Sequence, residues 1–165
     1  MPEYQADTPV PDHSQVVVFP PVIPLTGFLL GVLLERLQPI GSWIPAPLRT
    51  GMRGLGAVLF CLGAAGFAWM VFTMRTARTP VHNSATPTTL VESGPFRWTR
   101  NPMYLFGTIA YAGLACFFVE PWSLALVPAV FAMTHYGVVL REEAFLERRF
   151  GAVYRQYKAR VRRWL

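Results

Sequence analysis

Four long apolar runs without a charged side chain constrain what this chain can fold into. They cover residues 16–34, 54–74, 103–119 and 122–140. Each has about the length that a helix needs to cross the hydrocarbon core of a bilayer, roughly 20 residues. Hydrophobic residues make up 53% of the chain and charged residues only 15%, which is too apolar for a soluble domain of this size. We therefore predict an all-α integral membrane bundle of about four transmembrane helices.

The remaining segments divide the chain into a tail and one domain. Residues 1–15 are polar and contain three prolines, so they are expected to form a flexible tail, and residues 16–165 are expected to form a single membrane domain. The first span is the least regular, because Pro20, Pro21 and Pro24 crowd its first half. Pro128 is expected to kink the fourth span. In the second span, small residues are frequent and predict close packing against a neighbouring helix.

The basic residues indicate how the bundle is oriented. With four spans, twelve of the fifteen Arg and Lys residues fall on the side that holds both termini and the 75–100 loop. The positive-inside rule places that side in the cytosol. This distribution explains the net charge of +6 without a nucleic-acid partner. All but one of the basic residues are Arg, which favours a bacterial inner membrane.

Residues 141–165 form a basic tail with helical periodicity. Apolar residues recur at three- and four-residue spacing, which predicts one amphipathic helix at the cytosolic surface. Its apolar face comprises Leu146, Phe150, Val153, Tyr154, Tyr157 and Val161. Glu142 and Glu143 lie at the start of that face, at the membrane boundary, where an acidic side chain needs a partner. The alternative is surface ion pairing with nearby Arg residues, which we prefer for Glu147.

Residues 90–107, which we call the junction, lead into the third span and combine turn-forming, charged and aromatic side chains. Turn-forming residues are interleaved with Arg97, Arg100 and Asn101, and Pro102 suits the first turn of a helix. The free backbone N–H groups there predict a site for a polar or anionic ligand. The alternative is that the Arg and aromatic residues only anchor the chain to lipid headgroups. His82 and His135 stand alone, without partners at metal-ligand spacing, so we predict no metal site.

Two separated motifs resemble the isoprenylcysteine carboxyl methyltransferase family, of which phospholipid N-methyltransferases are more distant relatives. The first motif runs Thr88-Thr89-Leu90-Val91, Gly94-Pro95-Phe96, Arg100-Asn101-Pro102-Met103-Tyr104 and Gly107, and the second runs Glu142-Glu143, Leu146, Phe150-Gly151, Tyr154, Tyr157 and Val161. The resemblance covers roughly residues 75–165.

The resemblance implies a membrane enzyme that uses S-adenosyl-L-methionine and takes a lipophilic substrate from the bilayer. The cofactor would lie in a cytosolic site built from residues 75–104 and 141–165. The implied cofactor-binding residues are His82, Thr88, Thr89, Leu90, Val91, Phe96, Asn101, Pro102, Met103, Tyr104 and Glu142. Arg100, Asn101 and Glu142 are the implied catalytic residues.

The sequence departs from the family pattern at Asn101, where His is commoner, at Phe96, which replaces a usual Tyr, and most seriously at a third position. The prenylcysteine enzymes carry an Arg, credited with holding the substrate carboxylate, one turn before the Glu, where this chain has Val138. His135 and Arg141 are the nearest candidates for substrate binding.

Simple electrostatics supports the same site. A sulfonium donor with an ammonium group favours a nearby carboxylate such as Glu142, and its own carboxylate favours donors such as Asn101 and the start of the third span.

Two other functions fit the same pattern of spans. One is a membrane reductase using NADPH, because sterol reductases share a similar C-terminal architecture. The other is a non-catalytic membrane protein whose basic tail binds anionic lipid.

Overall fold

The computed structural model describes residues 21–79 and 89–165, and no strand occurs in these ranges. The all-α prediction is confirmed. The α-helices are α1 (Val22–Leu37), α2 (Ala46–Thr76), α3 (Pro102–Phe117), α4 (Pro121–Ala125), α5 (Val127–Thr134), α6 (Leu140–Phe150) and α7 (Ala152–Arg160). A π-helical segment, His135–Val139, joins α5 to α6, and short 3₁₀ helices occupy Ile40–Trp43 and Gly94–Arg97.

Helix α2 is the one helix of the described residues that is long and apolar enough to cross a membrane. Its 31 residues contain an 18-residue window of mean hydropathy 2.1, and only 17% of that window is buried. A core helix of a soluble protein is mostly buried, so the exposed apolar surface of α2 suits contact with lipid. Helix α3 is equally apolar in character but shorter, at 16 residues.

The first span was expected over residues 16–34. Residues 16–20 lie outside the described residues, and α1 begins immediately after Pro21. The helix continues three residues beyond the predicted end, to Leu37, so that Glu35 lies in its last turn. The Glu35 carboxylate then accepts a hydrogen bond of 2.7 Å from the backbone N–H of Gly41. This bond helps to turn the chain back toward α2.

Residues 35–53, which separate the first two predicted spans, were expected to form a loop, and this expectation is wrong in its second half because α2 begins at Ala46. Pro45 stands at the N-cap, and Pro47 lies in the first turn, where the missing N–H costs no helical hydrogen bond. Arg49 and Arg53 interrupt the apolar pattern, so the sequence did not indicate that α2 starts this early. They occupy the first two turns of a helix that is already formed.

Helices α2 and α3 approach so closely that only glycine fits between them. A Cβ atom on Gly63 would lie 2.6 Å from the backbone nitrogen of Ala110 and 2.8 Å from the carbonyl oxygen of Phe106. On the opposite side of the contact, a Cβ on Gly113 would lie 2.9 Å from the Cα of Phe60. The close packing expected from the small residues of α2 is confirmed.

The predicted fourth span, 122–140, is not a single regular α-helix. The α-helical pattern is interrupted at Leu126, two residues before Pro128, which agrees with the break expected at this proline. A second irregularity, the π-helical His135–Val139 segment, was not predicted. Ser123, fully buried in α4, donates to the carbonyl of Phe28 in α1, and Tyr111 of α3 donates to the carbonyl of Ser123.

The tail is two helices rather than the one that was predicted. Gly151 adopts a positive φ of 53° between α6 and α7, a conformation that glycine adopts readily. The chain turns there, so Val153 is 54% exposed while Tyr154 and Tyr157 are buried. After α7 the backbone becomes extended at Val161. We call residues 161–165 the C-terminal strap.

The α2–α3 contact predicts that Gly63→Ala destabilises the protein. The methyl group would press on backbone atoms that cannot rotate away, and such overpacking costs roughly 1–3 kcal/mol. Gly54→Ala is the matched control, since a Cβ added there would meet no atom within 4 Å and alanine is the better helix former. Thermal unfolding in detergent should show a lower Tm for Gly63→Ala alone, and equal Tm values would contradict the close contact.

Candidate functional site

The junction is held against α2 by a tight turn. Gly94 has a φ of 58°, and a Cβ there would lie 2.5 Å from the Oγ1 of Thr73 in α2. Gly94 therefore satisfies both the backbone conformation and the lack of space. Trp98 packs edge-on against Trp69 of α2, with ring centroids 5.3 Å apart. These contacts fix the approach of the junction to α3.

Helix α3 begins with Asn101 at the N-cap and Pro102 in the first turn, as predicted. The Asn101 side chain does not cap the helix and is directed instead to other parts of the chain. Its Nδ2 donates to the Oε1 of Glu143 at 2.9 Å and to the carbonyl of Arg163 at 3.2 Å. Asn101 is buried, with 6% of its surface exposed.

The Glu143 carboxylate is the centre of a buried ion cluster. Its side chain is 6% exposed. Arg163 donates from Nε to both carboxylate oxygens at 3.1 Å and from Nη2 to Oε2 at 3.0 Å. The Nε of Arg100 lies 3.4 Å from Oε1 but makes no well-directed hydrogen bond to the described residues. Hydrogen bonding to Glu143 raises the pKa of Arg163, so this guanidinium stays charged.

The C-terminal strap also binds the junction through its backbone. The N–H of Arg100 donates to the carbonyl of Arg162 at 3.0 Å. The Oγ1 of Thr99 donates to the carbonyl of Arg163 at 2.9 Å. Trp164 packs on Phe131 of α5, with ring centroids 4.7 Å apart. The strap thus closes over residues 99–101 and reaches the apolar helices of the fold.

Glu142 faces a different environment from its neighbour. The hydroxyl of Tyr104 donates to its Oε2 at 2.7 Å. Burial raises the pKa of the Glu142 carboxyl, the Tyr104 hydrogen bond opposes that rise, and the Glu143 charge adds to it. No cation is paired with Glu142 among the described residues, so its charge is available to a ligand.

An apolar cavity of about 250 Å³ lies against the ring of Tyr104. It is lined by Pro21, Pro24, Phe67, Met103, Tyr104, Gly107, Thr108, Val130 and Thr134. Helices α1, α2, α3 and α5 all contribute to the walls. Tyr104 therefore belongs both to this cavity and to the hydrogen bond with Glu142.

The remaining predicted cofactor residues lie before the junction. Val91 is buried, Leu90 and Phe96 are half-buried, and Thr89 is exposed. The Phe96 carbonyl accepts a hydrogen bond of 2.8 Å from the Tyr157 hydroxyl, which fastens this segment to α7. His82 and Thr88 lie outside the described residues.

The two predicted substrate residues lie in the π-helical segment and in α6. His135 lies in the π-helical segment, with its ring centroid 5.8 Å from that of Trp164. Arg141 is exposed at the start of α6. Val138, at the position where the prenylcysteine enzymes carry Arg, is 1% exposed and packs in the apolar core with Tyr104 and Val139.

Two residues of the cluster, Glu143 and Arg163, were absent from the predicted site. Glu143 had a usable signal, since it shares a helical face with Phe150 and Tyr154 and is therefore turned inward. Arg163 had none, because a helical tail would have carried it away from the junction. Only the turn at Gly151 and the extended strap bring it back.

The fold and the site define a helical protein with an exposed apolar surface and with buried acidic side chains next to an apolar cavity. The family model described as phospholipid methyltransferase matches residues 52–153. The chain belongs to this family, which is related to the isoprenylcysteine carboxyl methyltransferase type. Membership makes it a membrane-associated methyltransferase and favours that function over the reductase and the non-catalytic alternative. Searches of curated proteins and of solved structures return no match.

The raised pKa of Glu142 predicts a pH-dependent cost to stability. The folded state holds this proton more tightly than the unfolded state does, so stability falls as pH rises above the ordinary value of 4.5. In the ligand-free protein, Glu142→Gln should raise Tm by a few degrees at pH 7 and by much less at pH 4. Gln keeps an oxygen for the Tyr104 hydroxyl and carries no charge.

Glu147→Gln is the matched control for this measurement. It makes the same change five residues along α6, where Glu147 forms a partly exposed ion pair with Lys158. Such a pair contributes little to the free energy of unfolding. The measurement is thermal unfolding of both variants at pH 7 and at pH 4. A Tm of Glu142→Gln at or below the wild-type value at pH 7 would contradict the expected cost.

Proposed function

We propose that the protein is a multi-pass membrane methyltransferase that uses S-adenosyl-L-methionine to methylate a lipophilic acceptor drawn from the bilayer. One observation carries the proposal. Tyr104 donates a 2.7 Å hydrogen bond to the Glu142 carboxylate and also lines the apolar cavity. A polar site for a charged donor and an apolar site for an acceptor are thus joined at one side chain.

The residues around Glu142 fit the cofactor. S-adenosyl-L-methionine, when bound, supplies an activated methyl group on a positively charged sulfur. Glu142 offers a carboxylate without a cationic partner among the described residues, and the start of α3 is the positive end of a helix dipole. The aromatic rings of Phe96 and Tyr104 suit an adenine ring and a cationic sulfur. Among the other predicted contacts, Asn101, Pro102 and Met103 belong to the same turn.

The chain's own contribution to methyl transfer is alignment and exclusion of water. Tyr104 is buried, and its hydrogen bond fixes the Glu142 carboxylate. The apolar cavity keeps water from the acceptor and so strengthens its nucleophile. Arg100 and Asn101, both held by the ion cluster, keep the start of α3 in place. Holding two reactants in line accounts for a large share of such a rate enhancement.

We propose that four segments span the membrane, with both termini and the site in the cytosol of a bacterial inner membrane. The exposed apolar surface extends beyond α2, since Leu29 and Leu33 of α1 and Met133 of α5 are each more than half exposed. Such a surface suits a bundle surrounded by lipid tails. The Arg-rich α6, α7 and strap follow the last apolar segment along the chain, and the positive-inside rule favours the cytosol for them.

The acceptor proposed here is a lipid whose apolar part occupies the cavity and whose nucleophilic end approaches Tyr104. Val138 is packed in the core and brings no positive charge to this region. An isoprenylcysteine-like carboxylate would therefore lack the Arg that the prenylcysteine enzymes supply. This favours another lipid acceptor, with an amine or thiol as the nucleophile.

Binding of S-adenosylhomocysteine to the purified protein tests the cofactor. Wild type should bind it saturably, and Glu142→Gln should weaken binding on the order of tenfold or more, because a charge-assisted hydrogen bond to the ligand is lost. Calorimetry in detergent provides the measurement, with Glu147→Gln as the control expected to match wild type. Absence of saturable binding to wild type would overturn the proposed function.

Filling the cavity tests the acceptor site separately. Gly107 lines the cavity, and a Cβ there meets no atom within 4 Å. Gly107→Leu should lower kcat/KM for a lipid acceptor on the order of tenfold, as expected for a few methylene groups in an apolar pocket, while S-adenosylhomocysteine affinity stays unchanged. Gly51→Leu, on the exposed start of α2, is the control. An unchanged kcat/KM in Gly107→Leu would remove the cavity from the acceptor path.

A further inference from the structure

The Asn101 amide has one orientation available to it. Its two neighbours, the Glu143 carboxylate and the Arg163 carbonyl, are both hydrogen-bond acceptors. Turning the amide over would set its oxygen against both of them. The Nδ2 group must therefore face Glu143 and Arg163.

This orientation leaves the amide oxygen of Asn101 as the free group. It makes no hydrogen bond within residues 21–79 and 89–165, and it is not one of the fully enclosed unpartnered atoms there. Asn101 thus presents an acceptor to a ligand. The sequence had suggested the opposite, a donor for the cofactor's carboxylate.

Arg163 is the group that maintains this arrangement. The Asn101 Nδ2 keeps this partner only while the Glu143 carboxylate is held in place, and directed hydrogen bonds from a guanidinium hold a carboxylate firmly. Arg163 supplies three of them. Arg100 lies beside the same carboxylate, with its Nε 3.4 Å from Oε1, but that Nε makes no directed hydrogen bond to it.

We infer that Arg163 is a positioning residue that, through Glu143, fixes the Asn101 oxygen as the acceptor for the cationic amino group of the cofactor. This inference rests on the proposed function and adds to it. The arrangement assigns the amino group to Asn101 and leaves the α3 N-terminus for the carboxylate. Arg163 belongs to the strap, which lies outside the matched segment 52–153. It thereby determines which group of the ligand Asn101 recognises.

The test compares S-adenosylhomocysteine with its deaminated analogue, which has hydrogen in place of the α-amino group. Calorimetry gives the ratio of the two Kd values for each protein. Wild type should prefer the aminated ligand on the order of tenfold or more, as expected for a charge-assisted hydrogen bond. In Arg163→Met the ratio should fall to within about threefold of unity, while Arg163→Lys, which keeps the charge, should retain part of the preference.

Arg162→Met is the matched control, since it removes the same charge from an exposed neighbour whose contact with Arg100 uses only its backbone. Its ratio should equal that of wild type. Thermal unfolding of each variant separates loss of folding from loss of preference, and Glu143→Gln, whose amide permits Asn101 to reverse, replaces Arg163→Met if that variant does not fold.

The outcomes separate the two proposals. Saturable binding by wild type without preference for the amino group overturns the inference and leaves the proposed function standing. A folded Arg163→Met with the wild-type ratio also overturns it. No binding of S-adenosylhomocysteine by wild type overturns the proposed function itself.

Discussion

The end of this protein that carries the junction and the strap depends on one buried carboxylate. Removing Glu143 from water costs several kcal/mol unless its charge is paired and its oxygens are hydrogen-bonded. The chain meets this requirement with segments far apart in sequence, which supply Arg163, Asn101 and Arg100. The strap, the junction and α6 are therefore ordered together.

Two adjacent acids in α6 consequently have different roles. Successive residues of a helix point about 100° apart, so Glu143 faces the strap while Glu142 faces Tyr104. The Arg163 guanidinium neutralises the first acid, and the second has a hydroxyl as its partner. One charge holds the fold together, and the other stays available to a ligand at a cost in stability, as is common at functional sites.

The sequence predicted the features that depend on local pattern. The helical class, the start of α3 at Pro102 and the break near Pro128 follow from hydrophobic runs and turn residues. The choice of Asn101, Tyr104 and Glu142 as site residues comes from a motif resemblance and stays a prediction. The sequence missed the features that depend on distant contacts. The early start of α2 was concealed by Arg49 and Arg53, and the role of Arg163 depends on a reversal at Gly151 that helical periodicity does not reveal.

The glycine contact between α2 and α3 has a consequence for how a lipid reaches the interior. Gly63 and Gly113 bring the two backbones together, so the two helices cannot separate without losing the whole α2–α3 interface. These two helices therefore act as one rigid wall. In the proposed function, a lipid therefore enters through the other walls of the cavity, to which Pro21 and Pro24 at the start of α1 contribute. Neither proline has an N–H to donate, so this edge of the cavity holds fewer helical donors than the α2–α3 contact does.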